Sequence, residues 1–126
     1  MQKQDEDTLR IDSEQANNIE IMKLNGVIDS HTYEEMESHM EQVLSGGISR
    51  LIIDMQGVRY VSSAGIGVFI GALARARQGG GDLLLLNVTA TVREVLEVLG
   101  LLSMCFVAPN RPAAMAYFER AGLVKK

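Results

Sequence analysis

Basic side chains, cysteine and aromatic residues are all scarce in this chain of 126 residues. The 16 Asp and Glu residues outnumber the 12 Lys and Arg residues, which gives a formal net charge of -4. Because proteins bind nucleic acids mainly by neutralising phosphates with clustered positive charge, this composition argues against a nucleic-acid partner. The one cysteine, Cys105, cannot form an internal disulfide, and we interpret it as a buried core thiol of a cytoplasmic protein.

Long apolar runs are also missing. The longest stretch without charge, residues 60–74, contains two serines and three glycines. It is shorter than the roughly 20 apolar residues that a membrane-spanning helix needs, so we expect no insertion into a membrane. The amino end lacks the charged and apolar segments of a signal peptide. With 47% hydrophobic and 22% charged residues, the composition is typical of one soluble domain.

Apolar periodicity and turn residues predict an α/β chain. Residues 1–8 are polar and are expected to form a mobile tail, and residues 9–126 are expected to form the single domain. The predicted order is a hairpin, then helix, strand, helix, strand, helix, strand and helix. Such crossovers favour parallel strands covered by helices. We therefore expect a mixed sheet of four to five strands with about four packed helices.

The predicted elements have approximate bounds. In the second hairpin strand, alternation places Ile19 and Ile21 on one face, with Met22 and Leu24 on the other. The later strands are predicted at residues 50–54, 82–88 and 104–107, and the helices at residues 33–44, 63–77, 91–99 and 111–121. Thr32 and Glu35 have the spacing of a capping box for the first helix, and Asn110 is a candidate cap of the last.

The second helix combines two stripes. A core-facing stripe contains Ile66, Ile70 and Leu73. A second stripe consists of small residues, namely Ala64, Gly67, Gly71 and Ala74. Because each glycine costs about 1 kcal/mol in a helix interior, this stripe implies the close approach of a strand, a helix or a partner.

Two adjacent serines, Ser62 and Ser63, stand where the strand pattern gives way to this helix. The first turn of a helix offers unpaired N–H groups and partial positive charge, which suit a phosphate or a carboxylate. Serine is also common there simply as a cap, and we assign that role to Ser62. Ser63 is then the candidate functional serine.

Other candidate sites are weaker. His31, Glu35 and His39 recur every four residues, but a glutamate-rich helix face is usually solvated, and we expect no metal site. The three glycines at 65, 67 and 71 miss the dinucleotide-binding fingerprint by one position, and no phosphate-binding loop motif occurs. We therefore expect no cofactor and no ATP chemistry of the chain's own.

The run at residues 60–68, Tyr-Val-Ser-Ser-Ala-Gly-Ile-Gly-Val, resembles the STAS domain family, in particular the bacterial anti-sigma factor antagonists. Residues 26–29, Gly-Val-Ile-Asp, followed by Thr32 and an acidic helix, are similar to an early loop of that family. Residues 51–55 are similar to its central strand. The resemblance covers about residues 9–118 and implies a single STAS-like domain.

The resemblance also implies a function. Ser63 corresponds to a serine that is phosphorylated by a partner, an anti-sigma factor that is also a serine kinase, and a phosphatase is expected to reverse the reaction. The unmodified form binds that partner and frees a sigma factor, whereas phosphorylation ends binding. The chain would then be a kinase substrate and binding module, and not an enzyme.

The expected docking residues are Asp29, Ser62, Ser63, Ala64, Gly65 and Ile66. Asp29 could instead be a turn aspartate that binds nearby backbone. Ser62 stands where the family often has aspartate, and it is a second candidate acceptor of phosphate. The alternative function is a non-catalytic STAS scaffold subunit of a signalling or transport assembly, in which the serine is only a cap.

Overall fold

The computed structural model describes residues 8–120. Its elements are β1 (Leu9–Ala16), β2 (Ile19–Ile28), α1 (Tyr33–Ser45), β3 (Arg50–Val61), α2 (Ser63–Gln78), β4 (Asp82–Leu86), α3 (Ala90–Val98), a 3-10 helix (Leu101–Ser103), β5 (Val107–Ala108) and α4 (Arg111–Arg120). The predicted α/β order is confirmed. Residues 1–7 of the predicted tail and the predicted end of the last helix lie outside the described residues. Thr8 is described, and its carbonyl oxygen accepts the N–H of Val27 at 3.0 Å.

The strands form one mixed sheet in the order β1-β2-β3-β4-β5. β1 and β2 make the predicted antiparallel hairpin, whose turn residues Asn17 and Asn18 have φ values of 56° and 63°. All the other neighbouring strands are parallel. Since α1, α2 and α3 each follow one of the parallel strands β2, β3 and β4, the three helices begin at the same, carboxyl edge of the sheet.

Two apolar clusters cover the two faces of the sheet, because successive strand residues point to opposite faces. The larger cluster joins the sheet to α1, α2 and α3, and it includes Met22, Leu24, Leu51, Ile53, Met36, Phe69 and Leu96. The smaller cluster joins the other face to α4, and it includes Ile19, Ile21, Ile52, Leu84, Ala114 and Phe118. The predicted division of β2 between two faces is confirmed.

The predicted end of the third strand is wrong. β3 continues from Asp54 to Val61, because β2 pairs with it in parallel along almost its whole length. The register shifts where Asn25 meets Gly57. A Cβ at Gly57 would lie 1.9 Å from Oδ1 of Asn25, so a larger residue here would displace the Asn25 side chain. The extension carries β3 to the first turn of α2.

Two other strand predictions need correction. β4 ends at Leu86 and not at residue 88, because Asn87 adopts a φ of 58°, which breaks the extended conformation. Residues 104–106 precede β5 instead of belonging to it. The carbonyl oxygen of Met104 accepts a hydrogen bond of 2.7 Å from the Arg77 guanidinium, and only the carbonyl oxygen of Phe106 bonds to β4, from the N–H of Leu85 at 3.0 Å.

Candidate partner-docking site

Ser62 is the N-cap of α2, as the sequence predicts. Its backbone is extended, with φ of -88° and ψ of 171°, and its Oγ accepts the N–H of Gly65 at 3.3 Å. Its carbonyl oxygen accepts the N–H of Ile66 at 3.0 Å, which begins the helical hydrogen bonding. The hydroxyl oxygen of Ser62 therefore caps the helix, and Ser63 is the serine whose side chain is exposed to solvent at the helix start.

Ser63 is exposed and is the first residue of α2. The first turn of this helix contains no acidic side chain. The helix dipole is positive at this end, and the first N–H groups of a helix have no acceptor within it. A phosphate on Ser63 would therefore be compatible with the helix, while it would change the charge of the exposed surface.

Gly65 holds the start of α2 against the sheet. A Cβ at this position would lie 2.5 Å from Cγ2 of Ile28 and 3.2 Å from Cγ1 of Val61. The N–H of Ser62 also donates to the carbonyl oxygen of Ile28 at 2.8 Å. Gly65 and Ile66 are buried, so these two predicted docking residues position the helix start, whereas Ser62, Ser63 and Ala64 reach the surface.

Asp29 lies beside this helix start, directly after Ile28. Its Oδ1 accepts the N–H of His31 at 2.8 Å and that of Thr32 at 3.1 Å. The hydrogen bond from His31 is the main cause that holds the pKa of the Asp29 carboxyl below its ordinary value, and partial burial opposes it. Asp29 is thus a turn aspartate that binds nearby backbone. Its side chain is 27% exposed, and its contact with a partner stays a prediction.

The predicted capping box of α1 is wrong. Thr32 is the residue before α1, but its side chain makes no cap hydrogen bond. Thr32 is buried, and its hydroxyl donates to the carbonyl oxygen of Val27 at 2.8 Å and accepts the N–H of Asp29 at 2.9 Å. The hydroxyl therefore braces the loop that carries Asp29.

Comparison with known proteins identifies the family. The family model of the STAS domain matches residues 10–114. The chain belongs to the STAS domain family. Its relatives include the Bordetella bronchiseptica protein BtrV, which carries the name of an anti-sigma factor antagonist; the two are 37% identical over 98 residues, which cover 78% of this chain and 84% of BtrV.

Solved structures share the fold of this STAS domain. An anti-sigma factor antagonist from Mycobacterium paratuberculosis has a TM-score of 0.81 at 18% identity, and the match covers 90% of this chain and 96% of that one. The phosphorylated form of the Bacillus cell fate determinant SpoIIAA has a TM-score of 0.69 at 20% identity, covering 86% of this chain and 98% of the other. These likenesses confirm the predicted α/β fold.

One exposed residue at the same edge was missed by the sequence interpretation. Tyr60 of the STAS domain is 51% exposed, and it pairs with Val27 near the carboxyl ends of β3 and β2. Exposed aromatic side chains often anchor protein interfaces. The sequence did not indicate that Tyr60 is exposed at this edge, because the residue lies in the part of β3 that the apolar periodicity did not predict.

The second helix of the STAS domain buries Ile66 and Leu73, as predicted, and also Phe69, which the predicted stripe omitted. The predicted close packing against the small-residue stripe is not seen at its two glycines. A Cβ at Gly67 or Gly71 would meet no atom within 4 Å, so no described strand or helix approaches them. Packing by a described strand or helix therefore does not explain these two glycines, and contact with a partner stays a prediction.

The other residues that the sequence singled out, His31, Glu35, His39 and Cys105, do not form a metal or catalytic site in the part of the chain that the structure describes. Within residues 8–120, no group of His, Cys, Asp and Glu could hold a metal ion, and no helix is long and apolar enough to span a bilayer. Nε2 of His39 lies 2.6 Å from Oγ of Ser13 on β1.

Cys105 is half-buried, whereas the sequence predicted a fully buried thiol. This burial raises the pKa of the Cys105 thiol to about 11, so little reactive thiolate forms near neutral pH.

Proposed function

We propose that this STAS domain is an anti-sigma factor antagonist whose binding is controlled by phosphorylation of Ser63. The exposure of Ser63 at the capped start of α2 is the observation that carries the proposal. The name of the 37% identical relative BtrV supports the antagonist function. The solved phosphorylated form of SpoIIAA, a protein of the same fold, supports control by phosphate.

The unmodified domain docks through the carboxyl edge of its sheet on an anti-sigma factor that is also a serine kinase, and the sigma factor is released. The surface used would combine Ser63, Ala64 and the loop of Asp29, which the hydrogen bond between Ser62 and Ile28 holds beside the helix start. The domain acts in the cytoplasm as a binding module and supplies no catalytic group.

Phosphorylation would end this contact through charge. The kinase transfers the γ-phosphoryl group of ATP to Oγ of Ser63, the hydroxyl proton is lost, and ADP leaves. The modified serine carries about -1.5 to -2 charges at pH 7. Glu34 and Glu35 in the first turn of α1 add negative charge at the same edge of the sheet. A partner that carries acidic groups and bound nucleotide near this contact would be repelled, and a phosphatase would restore binding.

Ser62 is the second serine that could accept the phosphate. Its hydroxyl oxygen accepts an N–H of the helix, and the residue is half-buried, so phosphate on Ser62 would remove the cap. We therefore assign the phosphate to Ser63 and keep Ser62 as a second candidate acceptor.

The direct test is phosphorylation with purified components. Each anti-sigma factor kinase encoded in the source genome is incubated with the domain, ATP and Mg²⁺, and the intact mass of the domain is measured. The mass of one phosphate should be gained by the wild type and by Ser62→Ala, but not by Ser63→Ala. If no kinase modifies the wild type, the switch is refuted and the scaffold function is favoured.

A further inference from the structure

The exposed side of α2 that begins at Ser63 continues over two glycines. Gly67 and Gly71 follow Ser63 at intervals of four residues, so the three positions lie on one side of the helix. Neither glycine has a positive φ, and a Cβ at either would meet no atom within 4 Å. Since alanine favours a helix more than glycine does, the fold itself gives no reason for glycine here.

These glycines line a groove between α1 and α2. The groove has a volume of about 150 Å³, and it is lined on the apolar side by Met40, Leu44, Val68 and Ala72. A space of about this volume holds a benzene-sized group, so in size the groove matches one side chain rather than a helix. Because α1 and α2 both begin at the carboxyl edge of the sheet, the groove leads away from the edge that carries Ser63.

The α1 side of the groove is acidic. Glu37 and Glu41 line it and lie four residues apart on a helix that contains no Lys or Arg. Glu41 pairs with Arg75 on the opposite wall. Glu37 lines the groove, and among residues 8–120 no basic side chain forms an ion pair with it. Like charges four residues apart disfavour the helix, and since Arg75 already pairs with Glu41, a further cation in the groove would pair with Glu37.

We propose that this groove receives a lysine or arginine side chain of the anti-sigma factor. The aliphatic stem lies over Gly67 and Gly71, and the cationic end pairs with Glu37. Long basic side chains commonly bury their stems on apolar surface and keep their charge in contact with water. The inference rests on the proposed function, and it extends the docking surface from Ser63 along α2.

The test measures the affinity of the purified anti-sigma factor kinase for matched variants by isothermal titration calorimetry. Glu37→Lys reverses the charge of the groove and should weaken binding at least about tenfold. Glu119→Lys makes the same change on an exposed residue of α4, across the sheet, and should stay within about twofold. Gly67→Leu fills the groove and should also weaken binding at least about tenfold while the domain remains folded.

The outcomes separate the two proposals. Normal binding by Glu37→Lys and Gly67→Leu, with weakened binding by Ser63→Asp, would overturn the groove inference and leave the proposed function in place. Equal losses in Glu37→Lys and Glu119→Lys would reveal only long-range charge and would also overturn it. A dimer of the domain that Gly67→Leu dissociates would assign the groove to a second copy instead. If the wild type binds none of the kinases, both proposals fail.

Discussion

Gly65 and Gly67 lie two residues apart in α2, and the same substitution should have opposite effects at the two positions. At Gly65, the Cβ of alanine would lie 2.5 Å from Cγ2 of Ile28, which is fully buried in the larger apolar cluster and cannot move aside freely. At Gly67, the Cβ would enter open space. Gly65→Ala should therefore destabilise the domain, whereas Gly67→Ala should stabilise it.

The magnitudes follow from two competing terms. Replacing glycine by alanine in a helix contributes about 0.5–1 kcal/mol, which is the whole effect expected at Gly67. Overpacking of a core costs about 1–3 kcal/mol, so Gly65→Ala should lose about 1 kcal/mol after the helix gain is subtracted from the middle of that range. The two variants should therefore differ by about 2 kcal/mol, or roughly 8 °C in melting temperature for a domain of this size.

Urea unfolding followed by circular dichroism measures this difference, and an unchanged m value would show that only stability has changed. A Gly65→Ala variant as stable as Gly67→Ala would refute the reasoning, because the close approach of Ile28 would then not constrain the helix start. Destabilisation by Gly67→Ala would refute it equally, because that position would then make a contact inside the domain.

Further predictions test the cap, the loop and the thiol. Ser62→Ala should cost about 1 kcal/mol in urea unfolding because the helix loses its cap, whereas Ser63→Ala should stay within about 0.5 kcal/mol; equal costs would contradict the assigned cap. Thr32→Val should cost about 1–3 kcal/mol, because the carbonyl oxygen of Val27 and the N–H of Asp29 lose their hydrogen-bond partner. An unchanged free energy of unfolding would show that the hydroxyl does not stabilise the loop. Cys105, with its pKa of about 11, should react with iodoacetamide on the order of 100-fold more slowly at pH 8 in the folded than in the unfolded domain, and equal rates would contradict its burial.

The parts of the fold that depend on local pattern could be predicted from the sequence. Alternation in β2 assigned Ile19 and Met22 to opposite faces, because residue spacing alone decides which side of a strand a side chain takes. The cap role of Ser62 was predictable for the same reason, since its hydrogen bond spans only three residues.

Features that depend on distant neighbours could not be predicted in this way. The hydroxyl of Thr32 has the spacing of a cap, yet it binds Val27, which comes within reach only when the loop after β2 turns back. Gly65 and Gly67 look equivalent in the sequence, but only Gly65 lies against Ile28. The length of β3 was missed because its second half is held by pairing with β2.

The central claim is that charge on Ser63, the exposed first residue of α2, controls binding to the anti-sigma factor. The most direct measurement is the dissociation constant of that partner for the wild type, Ser63→Ala and Ser63→Asp. Alanine should bind within about threefold of the wild type, and aspartate should bind at least about tenfold more weakly, a difference of about 1.4 kcal/mol. Equal affinities for alanine and aspartate would contradict the account.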